Sequence, residues 1–376
     1  MNKIALTGGK IYTADEVLEK RALLLQEGRV VGIVADNDLP AGYQPFAVDG
    51  CNLCAGLVDL QLYGDGMDLY SAELSLDSLQ RISEGLIDKG TTSYMMTLAT
   101  NTMEVFREAI QVAEGFHHDA FLGLHLEGPF LNPKKRGAHP AELILSPSKQ
   151  RIDALLADNK VVKMMTIAPE CMDEDVLQHL QKYQVLLSAG HSNATFEEGT
   201  RGFDLGIPTS THLFNAMSPL HHREVGMVGA IFNHRTARAS IIVDGHHVSF
   251  EAVRIAKTQM GDRLFMITDA VAACNKGIYQ HVLQDGYYSL PDGTISGAAI
   301  SLFEGIKNCV QQVGISLQEA IRMATQYPAA LLGREDIGTL NPDSMGNVIV
   351  FTDDFQLKHV FFKGQLRGHA VLNQGR

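Results

Sequence analysis

The sequence predicts an α/β protein: a (β/α)8 TIM-like barrel over residues 55–339, with a small β-sandwich domain formed by both chain termini, residues 1–54 and 340–376. Three observations predict it. Short apolar strand candidates alternate with helix-period segments eight times through the middle of the chain. Both ends read as short strands and turns, and neither is long enough to bury a core alone. The 376 residues also exceed the about 250 that one barrel typically takes.

At the amino terminus, KIALTGGKIY and RALLLQEGRVVGIVA carry apolar runs broken by Gly and charge. The barrel strand candidates follow: Leu57–Leu62, Thr92–Leu98, Phe121–Leu126, Val162–Ala168, Val185–Ala189, Thr209–Leu213, Ala239–Val243 and Leu264–Thr268. Between them, SLDSLQRISEGLIDKG sets Leu76, Leu79, Ile82 and Leu86 at helical spacing, and DEDVLQHLQKY does the same with Val176, Leu177, Leu180 and Tyr183. Parallel strands need such crossovers. An open doubly wound sheet is the alternative, but no GxGxxG follows the first strand, which disfavours its dinucleotide form. GNVIVFTDD and LKHVFFKGQ then return to β character and complete the terminal domain.

Apolar residues make up 45% and charged residues 20%, which fits a large core and excludes disorder, collagen-like repeats and coiled coil. No apolar run approaches the ~20 residues that cross a bilayer. MNKIALTGGK lacks the apolar stretch of a secretory signal, so a cytoplasmic protein without a membrane partner is expected. The net charge of −12 argues against nucleic acid. It leaves room for an anionic small molecule held by local Arg and His. Cys51, Cys54, Cys171, Cys274 and Cys309 are too few and too scattered for a disulfide framework. The CxxC of Cys51 and Cys54 has no second pair and reads as two small residues before a strand.

A barrel of this kind places its active site where the strands end. FLGLHLEGPF sets Glu127 at the tip of the third strand, LLSAGHSNA sets His191 after the fifth, TSTHLFNAM sets His212 after the sixth, and LFMITDA sets Asp269 after the eighth. Each alone has an ordinary structural reading: a bonded His, a turn-forming Glu, an Asp N-cap. Together, one Glu and two His suit a divalent cation such as Zn²⁺ with a position open to water. Water bound there has its pKa brought towards neutrality, and a nearby carboxylate can move its proton. In the first strand, AGLVDLQLYGDG, an HxH pair would offer a second metal position; Gln61 and Tyr63 stand there instead. Neutral Gln is a poor ligand, and Tyr ionises only near pH ~10. One metal per subunit is expected, with Asp59 and Asp65 keeping a weaker second site open.

The segments AGLVDLQLYG, GLHLEGPFLNPKKRGAH, SAGHSNAT, THLFNAMSPLHHREVG, IIVDGHHV, ITDA and GTISGAAIS, with RMATQYPAALLG beyond, resemble the amidohydrolase superfamily and, within it, the N-acetylglucosamine-6-phosphate deacetylases. The resemblance runs essentially end to end. It implies hydrolysis of the acetamide of N-acetylglucosamine 6-phosphate to glucosamine 6-phosphate and acetate, with metal-bound water as nucleophile. It implies that Glu127, His191 and His212 hold one divalent metal, Zn²⁺ first, with Fe²⁺, Co²⁺ or Mn²⁺ as alternatives. Asp269 then acts as general base and general acid, and His139 as the catalytic group polarising the acetyl carbonyl. Gln61, Ala138, His139, Asn215, Ala216, His247 and Ile295 are implied substrate contacts. Arg223 is the implied phosphate ligand, reaching the neighbouring active site of a homodimer. Its planar fork suits phosphate oxygens.

His221 and His222 are expected at the surface, and His246 pointing away from the pocket. Two segments depart from the pattern, Tyr63-Gly-Asp-Gly-Met67 and Val271–Cys274, and both should border the pocket. They bear on sugar preference, gluco or galacto, more than on reaction type. A non-catalytic phosphosugar-binding barrel is the rival of another class. The presence of Glu127, His191, His212 and Asp269 together disfavours it.

Overall fold

The computed structural model describes residues 3–367; residues 1–2 and 368–376 of the expected terminal domain lie outside the described residues. Two compact units divide the chain. One takes the chain up to Val58, Glu84–Ser93 and the chain from Leu302 onward; the other takes Asp59–Ser83 and Tyr94–Ser301. Compactness thus groups the helices Leu302–Asn308, Leu317–Ala324 and Gln326–Leu331 with the terminal strands.

In the first unit two sheets face each other. A four-stranded sheet runs Arg29–Ala35, Arg21–Gln26, Lys3–Thr7, Gln44–Ala47. A six-stranded sheet joins the two ends of the chain, Val348–Thr352 pairing antiparallel with Cys51–Ala55 from Val348↔Ala55 to Thr352↔Cys51. Leu6, Leu23, Leu25 and Val30 from one sheet pack with Ile11, Leu53, Val348, Val350 and Phe361 from the other. Arg21–Gln26 reads as an unbroken apolar run because both its faces are covered: Ala22 and Leu24 join a second cluster with Ala5, Leu39 and Tyr43. Cys51 and Cys54 lie within a strand rather than before one. Three positions apart, they point to opposite faces. Both are free thiols, and burial alone pushes Cys54 far up.

All eight expected barrel strands form, as one parallel sheet in chain order: Leu57–Leu62, Thr91–Ala99, Phe121–Glu127, Val162–Ile167, Leu186–Ala189, Thr209–Ser210, Arg238–Ile241 and Leu264–Met266. A parallel bridge Leu62↔Ala270 closes the ring, with the Asp269 N–H donating to the Gln61 carbonyl at 2.9 Å and the Tyr63 N–H to the Ala270 carbonyl at 2.8 Å. In the helix Leu76–Asp88, Leu79, Ile82 and Leu86 are buried as expected, whereas Leu76, at its first residue, is exposed. The helix Phe196–Asp204, which follows the His191 loop, is started by a capping box between Thr195 and Glu198, a motif that satisfies two end N–H groups at once. After the eighth strand a three-stranded antiparallel flap forms from Val282–Leu283, Tyr287–Ser289 and Ile295–Ala298. Among the described residues no helix is long and apolar enough to cross a membrane.

Candidate active site

The strand ends surround a partly open cleft with a cavity volume of about 140 Å³. Four of its non-glycine residues sit on left-handed backbone: His191 at φ 48°, His212 at 36°, Ala216 at 50° and Asp269 at 56°. Non-glycine residues rarely adopt this geometry, which costs about 1–3 kcal/mol each and persists where the surroundings impose it. Here they do. The His191 carbonyl accepts from the Asn132 N–H, the His212 N–H donates to Ser240 Oγ at 2.9 Å, and the Asp269 N–H is held by the first strand. The turns also explain why the sixth and eighth strands stop at Ser210 and Met266, short of the expected Leu213 and Thr268.

Glu127 ends the third strand and is followed by Gly128 at φ 90°, where a Cβ would lie 2.2 Å from Thr100 Oγ1. That hydroxyl donates to the Glu127 carbonyl at 2.9 Å, and the Thr100 N–H donates to His139 Nδ1 at 3.2 Å. Gly128→Ala should therefore cost about 1–3 kcal/mol in a thermal or urea melt.

The centre is a triangle of ligand atoms. Glu127 Oε1 lies 3.1 Å from His212 Nε2 and 3.3 Å from His191 Nε2, and the two Nε2 atoms are 3.1 Å apart. Tetrahedral bonds of about 2.0–2.1 Å put neighbouring ligand atoms about 3.3 Å apart, so these three make one face of such a site. The protonation pattern agrees. His191 Nδ1 faces the Lys135 carbonyl at 2.9 Å and must donate to it, which leaves a lone pair on Nε2. That lone pair and a carboxylate oxygen at 3.3 Å repel unless positive charge lies between them.

A second set, Glu127, His139 and His191, is also within 4.8 Å. His139 is excluded as a ligand by its tautomer. A backbone N–H fills Nδ1, so Nε2 carries the proton and donates to Glu127 Oε2 at 3.0 Å. The residues therefore fit a cation held by Glu127, His191 and His212, with His139 as a fixed donor beside it. Asp59 and Asp65 form no second cluster among the described residues.

Burial works against ionisation of Glu127, but His191 and His139 more than offset it and hold the carboxyl well below the usual carboxylate range. Burial, aided by His191, pushes His139 down to about 4, so it is neutral. Burial also opposes a charge on His212, yet bonding to Glu127 lifts it above the ordinary imidazole value. Burial raises Asp269, with the Glu127 charge adding to the effect and His212 opposing it.

Gln61 joins the two carboxylates: its Nε2 donates to Asp269 Oδ1 at 2.7 Å and to Glu127 Oε1 at 3.1 Å. It lies beneath the cleft rather than on its wall, because its amide hydrogens are engaged by those acids. Tyr63 donates to Glu127 Oε2 at 2.5 Å, and burial beside two carboxylates keeps its phenol protonated. Asp59 accepts from the Gln61 N–H, the Thr268 N–H and the Thr268 hydroxyl, clamping the first and eighth strands together; burial pushes it up to about 7.

Ala138, Asn215, Ala216, His247 and Ile295 line the cleft with the central residues. His247 is oriented by Asp244 through a 2.6 Å contact at Nδ1. Arg223 is exposed, lies off this wall, and donates through Nε to His222; His221, His222 and His246 are exposed as expected. The two departing segments contribute Tyr63 and Val271, which with Leu69, Ala99 and Tyr279 form an apolar side. Motif reading did not single out Tyr279 or His281, which also line the cleft together with Ser296 of the GTISGAAIS segment.

An amidohydrolase family model matches residues 52–367, and a NagA composite domain model matches residues 4–53. The chain belongs to the amidohydrolase family. It is the family expected from LHLEGP, GHSNA, HLFNAM and TDA. This amidohydrolase is 35% identical over 372 residues to N-acetylglucosamine-6-phosphate deacetylase of Haemophilus influenzae, covering 94% of this chain and 97% of the relative. It is 30% identical over 379 residues to N-acetylgalactosamine-6-phosphate deacetylase of Escherichia coli O157:H7, covering 93% and 98%. The crystal structure of N-acetylglucosamine-6-phosphate deacetylase from Pasteurella multocida superposes with a TM-score of 0.93 at 33% identity, covering 98% of this chain and all of that one. The amidohydrolase thus has both the barrel and the terminal β domain of its relatives.

Proposed function

We propose that this chain hydrolyses the acetamide of N-acetylglucosamine 6-phosphate, releasing acetate and glucosamine 6-phosphate. The observation that carries the reading is the triangle of Glu127, His191 and His212, with edges of 3.1–3.3 Å, beside a buried Asp269 that is not one of its corners. A divalent cation bound there, zinc first, supplies Lewis acidity to water and to the amide carbonyl. Asp269 takes a proton from the attacking water, its Oδ1 held by Gln61, and passes it to the departing nitrogen. His139, with its Nε2 proton fixed, is placed to donate to the carbonyl oxygen as negative charge develops. The apolar side formed by Leu69, Ala99 and Val271 suits the acetyl methyl. Asn215, Ala216, Ala138, His247 and Ile295 are left for the sugar phosphate.

Among the described residues no Lys or Arg lines the cleft. A cation for the phosphate would then come from outside this wall, a place that Arg223 of the neighbouring subunit of a homodimer could fill; the cytoplasm is the proposed location. Arg223→Ala should raise KM with little change in kcat, and the defect should shrink on unphosphorylated N-acetylglucosamine; equal losses on both substrates contradict the role.

The test of the main reading is acetate release that disappears on chelation and returns with Zn²⁺, measured alongside metal stoichiometry. The galacto epimer is the second reading, favoured by the 30% relative that acts on it. Comparing kcat/KM on the two phosphosugars decides between them.

A further inference from the structure

His281 precedes the flap and is 5% exposed, yet its ring lines the cleft. Its backbone pairs with Cys274, and its Nδ1 meets Ser296 Oγ at 2.8 Å. Its Nε2 has no protein partner among the described residues, and the face it can reach is the cleft. A ring nitrogen left without a protein partner at the cleft wall is open to bond a ligand. The ring stacks on Tyr279 with centroids 6.3 Å apart at 10°, and Tyr279 in turn meets His139 at 6.3 Å. His281 is therefore set back from the Glu127 cluster by a whole tyrosine ring. An acyl carbon seated at that cluster is out of its reach, while the sugar carrying the acyl group is not.

We infer that His281 is a specificity-determining residue whose Nε2 bonds a hydroxyl of the sugar ring. The inference rests on the deacetylase reading and names a contact within it. Two features favour a hydroxyl over the phosphate. Burial pushes His281 down to about 4, so it carries no charge to offer an anion. A hydroxyl can donate or accept, so it satisfies Nε2 whichever tautomer Ser296 selects. Ser296 acts as the positioning residue: from the flap strand Ile295–Ala298 it fixes the ring's rotation through Nδ1.

The test measures kcat/KM of the metal-loaded enzyme on N-acetylglucosamine 6-phosphate and on its 3-deoxy and 4-deoxy analogues. Wild type should lose about 3–10-fold on one analogue, the worth of one neutral hydrogen bond. His281→Phe, which keeps a ring against Tyr279, should lower the parent substrate by a similar factor and leave that analogue within about twofold, so the discrimination collapses. Ser296→Ala removes no ring from the wall and should erode the same discrimination in part, which covers a failure of His281→Phe to fold. Equal losses on parent and both analogues, or an unchanged ratio in both variants, overturns the inference while leaving the deacetylase reading intact. A wild-type enzyme that releases no acetate from the parent overturns that reading, and this inference with it.

Discussion

Asp269→Asn should lower kcat about 10²–10⁴-fold, the usual worth of a general acid–base, with metal content and melting temperature unchanged. The substitution separates chemistry from structure. Asp269 Oδ1 accepts from Gln61, and the Asp269 N–H donates to the Gln61 carbonyl. An asparagine oxygen accepts the same bond and keeps the same backbone bond, so the seam between the first and eighth strands stays closed. What asparagine cannot do is take a proton and return it. KM should move little, because the loss falls on the transition state. The pH profile gives an independent check. Asp269 acts as base only when ionised, so wild-type kcat/KM should rise with pH through its pKa, which burial lifts above the ordinary carboxylate value. That acidic limb should vanish in the variant. Near-normal turnover by Asp269→Asn would remove this residue from the mechanism.

The barrel was legible because each strand is a short apolar run between helix-period segments, and Leu57–Leu62 or Phe121–Glu127 could be read almost to the residue. The same reading overran where chemistry begins. Thr209–Leu213 has strand composition throughout, but the chain leaves the sheet after Ser210 to turn through His212 at φ 36°. Backbone strain at a non-glycine residue has no signal in composition. The convergence of Glu127, His191, His212 and Asp269 was legible from their places at strand ends, since the barrel brings all such ends to one face.

The layer behind them was harder to read. The chemistry of Gln61 and Tyr63 makes them poor metal ligands, but their bonds to Glu127 and Asp269 depend on side-chain directions that spacing does not give. His281 carries no motif at all. Its meaning comes from Ser296, fifteen positions away on a strand of the flap, and from a stacked Tyr279. Arg223 shows the limit from the other side: within one copy of the chain it is a surface residue, and the role proposed for it needs a second copy.

His139 and His191 both touch Glu127, and replacing each should give opposite results for metal and similar results for activity. His191→Asn removes a corner of the triangle and should weaken metal binding by more than the about 10–100-fold seen when only a supporting partner is lost. Activity should return in part when excess metal is added. His139→Asn should keep one metal per chain and still lose about 10²–10³-fold in kcat, the scale for losing one preorganised donor, with no recovery at high metal. The distinction comes from a single backbone N–H. Thr100 donates to His139 Nδ1, so the Nε2 proton cannot leave for Nδ1 and the ring cannot offer a lone pair to a cation. His191 is the reverse case, because the Lys135 carbonyl takes its Nδ1 proton and leaves Nε2 bare. Two imidazoles with centroids 4.4 Å apart thus differ in role because one faces a donor and the other an acceptor. Metal content measured by elemental analysis, beside a kcat titrated against added Zn²⁺, reads both. If His139→Asn lost its metal, or His191→Asn kept it at full occupancy, the assignment of ligand and donor would have to be exchanged.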